Sequence, residues 1–196
     1  MKKIVLTGGP CSGKTTVIES LKQKYSDRII FVPEIATMLL SAGFPVPGQD
    51  IAWSQEWQDA FQAAVLPLQI NLEKVYCLKA KTAGIETLIC DRGILDGAAY
   101  CQDGLSNFCL THRIDHDEAL NNYEMVIHLE SLATAYPHLY GQTNNQQRFE
   151  SLEEAQQLEL KTRLAWANHA NHNFVTGKGE VENKIAAVSK IIKKIL

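Results

Sequence analysis

The stretch Gly8-Gly9-Pro10-Cys11-Ser12-Gly13-Lys14-Thr15 directly follows the strand-like run Lys2 to Thr7. It has the pattern G-x-x-x-x-G-K-[ST], in which glycines let the backbone wrap closely while its N–H donors converge on one point. Lys14 adds a cation, and Thr15 offers a hydroxyl that can bind Mg²⁺. The residues from Ser12 to Thr16 open a predicted helix, whose N-terminal dipole favours an anion. The stretch therefore predicts a phosphate-binding loop for a nucleoside triphosphate.

Length and composition set the frame for this loop. The chain has 196 residues, 45% of them hydrophobic, which predicts one α/β domain over residues 1–196. The formal net charge is −3, from 19 basic and 22 acidic residues, so general nucleic-acid binding is not expected. We expect neither a leader peptide nor a membrane span, and therefore a cytoplasmic protein. Five cysteines without a C-x-x-C pair favour reduced thiols over disulfides or zinc.

Short apolar runs alternate with helical patterns along the chain. Predicted strands cover 2–7, 29–32, 87–91, 125–129 and 172–175, and predicted helices cover 13–25, 51–81, 151–170 and 182–196. The segment 101–115 is predicted to be irregular. The strands are apolar almost throughout, which is typical of a parallel sheet with both faces covered.

Charged residues follow two of these strands. Glu34 comes after the second strand, and Asp91 and Arg92 end the third. Because ligands of open α/β sheets bind outside the carboxyl ends of the strands, we expect these residues and the phosphate loop to share one cleft. Asp91, as in a Walker B element, can hold Mg²⁺ or accept a proton from the attacking hydroxyl, a role equally open to Glu34. Arg92 offers a forked donor to a phosphate or a substrate carboxylate.

The long second helix carries aromatic residues at fourfold spacing. Trp53, Trp57, Phe61 and Val65 form this stripe, and Asp50 is the predicted N-cap. Such a stripe is more often core, and the alternative is a wall for a stacked ring.

A polar segment at about 135–150 is predicted to be a mobile lid. It is rich in Gln, Asn, Tyr and Gly, and the capping box of Ser151 and Glu154 ends it by starting a helix. Arg148 lies at the junction, where a hinged cover over the phosphates would place a cation.

Two predictions concern the C-terminal helices. Arg163 stands four residues after Glu159, a spacing that favours an ion pair on one helix face. The last helix is predicted to turn its isoleucines inward and its lysines to water.

The predicted reaction is transfer of the γ-phosphoryl group of Mg·ATP to a small hydroxylated acceptor, nucleoside-like or riboside-like. This chemistry depends on positioning, on neutralising negative charge and on excluding water. Glu34 or Asp91 would orient the acceptor hydroxyl, while Lys14, Mg²⁺ and Arg148 would neutralise the transferring group. The alternatives are a nucleotide-driven ATPase or GTPase switch acting on a macromolecule, and a module that binds nucleotide without turnover. The sequence has no N-K-x-D guanine-reading motif.

Several motifs together carry a family resemblance. They are the phosphate loop, Val32-Pro33-Glu34, Asp91-Arg92-Gly93 with Leu95-Asp96-Gly97, and the stretch 144–154. With these motifs the chain resembles small P-loop proteins grouped as AAA-like or predicted ATPases. It is also similar to the nicotinamide-riboside kinase domain of NAD-biosynthesis regulators and, more distantly, to nucleoside and thymidylate kinases.

The resemblance implies both a fold and the placement of the site residues. The implied fold is α/β, a three-layer α/β/α P-loop NTPase with a mostly parallel five-stranded sheet, kinase-like with a mobile lid. Glu34, Asp91 and Arg92 would belong to the acceptor site, and Arg148 to the lid.

Overall fold

A parallel sheet forms the centre of the molecule. The computed structural model describes residues 1–140 and 150–196, and within these residues it contains five strands. They are β1 (Lys2–Thr7), β2 (Ile29–Val32), β3 (Thr87–Asp91), β4 (Met125–Leu129) and β5 (His172–Val175), in the spatial order β2-β3-β1-β4-β5. All four strand pairs are parallel, so the carboxyl ends of the strands share one edge.

Helices cover both faces of this sheet. The described residues form α1 (Lys14–Tyr25), α2 (Ile35–Ser41), α3 (Gln55–Ala83), α4 (Gly104–His112), α5 (His116–Asn121), α6 (Leu132–Ala135), α7 (Leu152–Ala165) and α8 (Val181–Ile192). Short 3₁₀ helices cover Ile94–Tyr100 and Pro137–Leu139.

Alternation along β1 divides the core between the two faces. Val5 packs with residues of α3, α4, α5 and α7 in one buried cluster. Ile4 and Leu6 pack with residues of α1 and α8 in a second cluster. Neighbouring strand residues point to opposite faces, so a strand apolar throughout needs cover on both. The predicted three-layer α/β/α architecture is confirmed.

Two details of the predicted elements are wrong. The segment 101–115, predicted as irregular, contains α4. Phe108 is the one fully buried side chain of this helix, so the apolar periodicity of the segment is weak. Asp50 does not cap α3. Its carboxylate accepts the backbone N–H of Val46 at 2.8 Å, while Ser54 caps the helix by accepting the N–H of Trp57 at 3.1 Å.

Candidate active site

The predicted phosphate loop connects β1 to α1 at the carboxyl edge of the sheet. Its backbone turns through positive φ at Gly8 (144°), Cys11 (59°) and Gly13 (83°). Gly13 precedes α1 and has no side chain to cap it. The free N–H groups of the first turn of α1 therefore remain available to an anion.

Lys14 folds over this loop. The residue is 9% exposed, and its Nζ donates to Gly8 O at 3.0 Å, Gly9 O at 3.4 Å and Ser12 Oγ at 3.1 Å. Burial, followed by the positive charge of Arg92, lowers the pKa of Lys14 to about 8. The lowered pKa means that the charged ammonium is less stable here than in water. A phosphate group would stabilise it by supplying a negative charge.

Position 8 requires glycine for two reasons, the positive φ of its backbone and the close packing of the atoms around it. A Cβ at this position would lie 2.2 Å from the carbonyl oxygen of Leu129 at the end of β4. The loop therefore packs against the neighbouring strand without space for a side chain.

We expect Gly8→Ala to lower the free energy of unfolding by at least about 3 kcal/mol, from left-handed strain and overpacking combined. Gly84→Ala is the matched control, because Gly84 also has positive φ (68°), but a Cβ there would meet no atom within 4 Å. This control should cost about 1 to 2 kcal/mol. Urea unfolding measures both, and equal losses would contradict the close packing described for the loop.

Arg92 connects the loop with the residues that follow the other strands. Its Nε donates to Glu34 Oε1 at 2.6 Å, and its Nη1 lies 3.4 Å from both Gly8 O and Asp96 Oδ1. Its φ of 70° lies in a region that residues other than glycine seldom adopt, and these contacts fix it there. The structure thus brings Glu34, Arg92 and the phosphate loop into one cluster.

Glu34 is held as a carboxylate in this cluster. Its Oε2 accepts the hydroxyl of Thr37 at 2.6 Å. Burial by itself raises the pKa of Glu34, but the charges of Arg92 and Lys14 outweigh it and hold the pKa at about 2. Glu34 is therefore charged throughout the neutral range.

Asp91 ends β3 beside this cluster and has a free acceptor. Its Oδ1 is buried and has no hydrogen-bond partner among residues 1–140 and 150–196. Burial and the nearby charge of Glu34 raise the pKa of Asp91 to about 6. An unsatisfied carboxylate oxygen close to a phosphate loop fits a divalent cation, which prefers oxygen ligands, and Thr15 lies exposed in the first turn of α1.

Asp96 stabilises the site through hydrogen bonds. It was not singled out as a site residue from the sequence. Its carboxylate accepts the hydroxyl of Thr7, the backbone N–H of Gly93 at 2.9 Å and the indole N–H of Trp166 at 3.1 Å. The spacing from Asp91 does not reveal this role, because two of the partners, Thr7 and Trp166, come from distant parts of the chain.

A cavity of about 840 Å³ opens beside Glu34 and Arg92. It lies between α2, the loop after it, α3, the 3₁₀ helix Ile94–Tyr100 and α7. Its volume is within the range of small-molecule sites, about 300 to 1,000 Å³.

The aromatic stripe forms one wall of this cavity, and its interpretation as core holds only for Phe61, which is 6% exposed. Trp57 and Phe61 stack with ring centroids 4.9 Å apart and an angle of 15° between the planes. Trp53 precedes α3 and is 61% exposed. The alternative interpretation, a wall for a ring, matches the observed position, because Trp53, Trp57, Phe61 and Val65 all line the cavity.

Two buried glutamine side chains on α3 also face the cavity. Gln58 and Gln62 are one turn apart, and within the described part of the chain neither side-chain amide has a hydrogen-bond partner. Both amides therefore remain available to hydrogen-bond a ligand in the cavity.

Two more side chains reach the phosphate loop from the C-terminal helices, against expectation. Lys184 is 8% exposed, and its Nζ donates to Ser12 O at 2.8 Å and Glu130 O at 2.7 Å, so the prediction that the lysines of α8 face water is wrong here. Its spacing of four from Val188 places it on the buried face of the helix, a signal present in the sequence.

Glu159 does not pair with Arg163. Its carboxylate accepts the backbone N–H of Gly9 at 2.6 Å, and the Arg163 guanidinium lies 4.6 Å from the ring centroid of Phe174. The predicted lid cation, Arg148, lies outside the described residues.

These elements define a class of protein. A phosphate loop between the central strand and α1, a parallel sheet of order 2-3-1-4-5, and acidic residues after two neighbouring strands are the features of a P-loop kinase or NTPase.

Comparison with known proteins gives the family. A family model described as an AAA domain matches residues 3–184, and the chain belongs to this family. No curated protein matches the chain.

A solved structure gives the fold independently. The chain is similar to deoxyadenosine kinase from M. mycoides with bound dATP, with a TM-score of 0.65 and 16% sequence identity. The similarity covers 98% of this chain and 100% of that chain, and at this identity it shows the fold. The predicted P-loop fold is thus confirmed, while the similarity to nicotinamide-riboside kinase domains stays a prediction.

Among the described residues, no helix is both long and apolar enough to cross a membrane.

Proposed function

We propose that the chain is a Mg·ATP-dependent kinase that phosphorylates a hydroxyl group of a nucleoside-like small molecule. The observation that carries this proposal is the position of Arg92. It contacts the phosphate loop at Gly8 O and the cavity-lining Glu34 at once, so a phosphate site and an acceptor site meet at one side chain.

The nucleotide half of the proposal rests on the loop. The triphosphate would take its hydrogen bonds from the loop backbone and the first turn of α1, and Lys14 would leave the loop carbonyls to contact it. When bound, Mg²⁺ supplies positive charge to the transferring group, and Thr15 and Asp91 would hold it.

The acceptor half rests on Glu34. Its carboxylate would accept the hydrogen bond of the acceptor hydroxyl and so point the oxygen at the γ-phosphoryl group. A carboxylate with a pKa near 2 is a weak base, but in a loose transition state orientation matters more than early proton removal. Arg92 would then bring positive charge to the side of the acceptor.

The cavity supports an acceptor with a heteroaromatic ring. Trp57 and Phe61 offer flat apolar surface for the ring, and the free amides of Gln58 and Gln62 offer donors and acceptors for its polar edge. Similarity of fold to deoxyadenosine kinase supports a nucleoside-like acceptor.

An acceptor panel tests the proposal. With ATP and Mg²⁺ present, a panel of nucleosides, deoxynucleosides and other ribosides should include at least one compound that accelerates ADP release at least tenfold and gains one phosphoryl group by mass spectrometry. Hydrolysis stimulated by a macromolecule, with no acceptor effect, would instead indicate a switch. Nucleotide binding without turnover would indicate a binding module.

A further inference from the structure

Glu159 contacts the phosphate loop from α7. The residue is 4% exposed, and its Oε2 accepts the backbone N–H of Gly9 at 2.6 Å. The other oxygen, Oε1, lies 2.8 Å from Nε2 of His128, a fully buried residue of β4. The carboxylate therefore connects α7, the central sheet and the first turn of the loop.

The backbone of α7 also lies directly against the loop. A Cβ on Gly9 would come within 2.6 Å of Glu159 Oε2 and 3.0 Å of Glu159 Cα. Gly9 therefore lies against Glu159 without space for a side chain between them, and its N–H bond to the Glu159 carboxylate links the loop to this helix turn.

The opposite face of the same helix turn lines the acceptor cavity. Gln157, Leu158 and Lys161 contribute to the cavity wall, while Glu159 between them points to the loop. One turn of α7 is thus shared by the two halves of the site.

We propose that Glu159 is a positioning residue that couples the phosphate loop to the acceptor-side wall formed by α7. Phosphate binding depends on loop N–H groups held in one arrangement, and Glu159 fixes the residue at which this arrangement begins. Nucleotide binding then orders α7, and by reciprocity the state of α7 changes nucleotide affinity. The inference rests on the nucleotide site of the proposed function and requires no particular acceptor.

Hydrogen exchange on the wild-type protein gives the first test. Saturating Mg·ADP should slow amide exchange in α7 (Leu152–Ala165) as well as in the loop. Binding of Mg·ADP without any response in α7 would overturn the inference and leave the proposed function standing. Failure of Mg·ADP to bind would contradict the proposed function itself, and this inference with it.

Variants of Glu159 give the second test. Glu159→Ala should weaken Mg·ADP binding about tenfold or more by titration calorimetry, because a hydrogen bond to a charged acceptor is lost. Glu159→Gln should stay within about threefold of wild type, since an amide offers oxygen to Gly9 and N–H to His128.

Two control variants separate positioning from folding. Ile192→Ala removes a fully buried side chain of α8 and should lower stability without changing Mg·ADP affinity. Glu153→Gln removes an exposed carboxylate from the same helix and should change neither. If Glu159→Ala binds as tightly as these controls, the inference is wrong. If Glu159→Ala does not fold, the exchange result on the wild-type protein decides.

Discussion

Lys14→Ala is expected to reduce acceptor phosphorylation at least about a thousandfold, because it removes the cation placed closest to the transferring phosphoryl group. The fold should persist. Lys14 is a buried ammonium whose pKa is lowered to about 8 mainly by burial, so in the free protein its charge is held at a cost. Its removal therefore takes away a binding group and relieves part of that burial cost.

The measurement combines ADP release, in the presence of the acceptor identified by the panel, with thermal unfolding. Lys22→Ala is the control, because Lys22 lies on the same helix and is exposed. It should retain full activity. An Lys14→Ala protein that is folded and still active within tenfold of wild type would remove Lys14 from the proposed mechanism.

Glu34→Gln is expected to reduce transfer about a hundredfold to ten-thousandfold, the usual range for losing a positioned acid–base group. Affinity for Mg·ADP should change little, since Glu34 lines the acceptor cavity and bonds to Arg92 and Thr37 rather than to the loop. The loss should therefore appear in kcat and in the acceptor KM. Single-turnover transfer and nucleotide titration measure the two parts separately.

Two further variants show whether the loss of transfer is specific to Glu34. Glu56→Gln removes an exposed carboxylate at the start of α3 and serves as the control for a lost charge. Asp91→Asn distinguishes the two candidates for orienting the hydroxyl. If Glu34→Gln transfers at the wild-type rate, Glu34 does not orient the hydroxyl; slow transfer by Asp91→Asn with unchanged Mg·ADP affinity would then assign that role to Asp91.

Features that reside in short stretches of sequence were predictable. The apolar runs indicated all five strands within the described residues, since a buried parallel strand needs both faces apolar. The meeting of Glu34, Arg92 and the phosphate loop follows from parallel strands sharing one carboxyl edge. These conclusions need no knowledge of which helices touch.

Features that depend on long-range packing were not predictable in the same way. The Arg163 spacing favoured a partner on its own helix, but Gly9, 150 positions away from Glu159 in sequence, gives this carboxylate a buried N–H donor. Trp57 and Phe61 have the spacing of core residues, and periodicity does not distinguish a buried face from the wall of a cavity.

The hydrogen bond from Lys184 to Ser12 joins residues that are 172 positions apart in sequence, and this separation has a consequence for biosynthesis. The glycine-rich segment is synthesised before α7 and α8, so it leaves the ribosome before the side chains that brace it have been made. A nascent polypeptide therefore carries the motif before it has the contacts that fix the shape of the loop, and we expect tight nucleotide binding only once α8 has been synthesised.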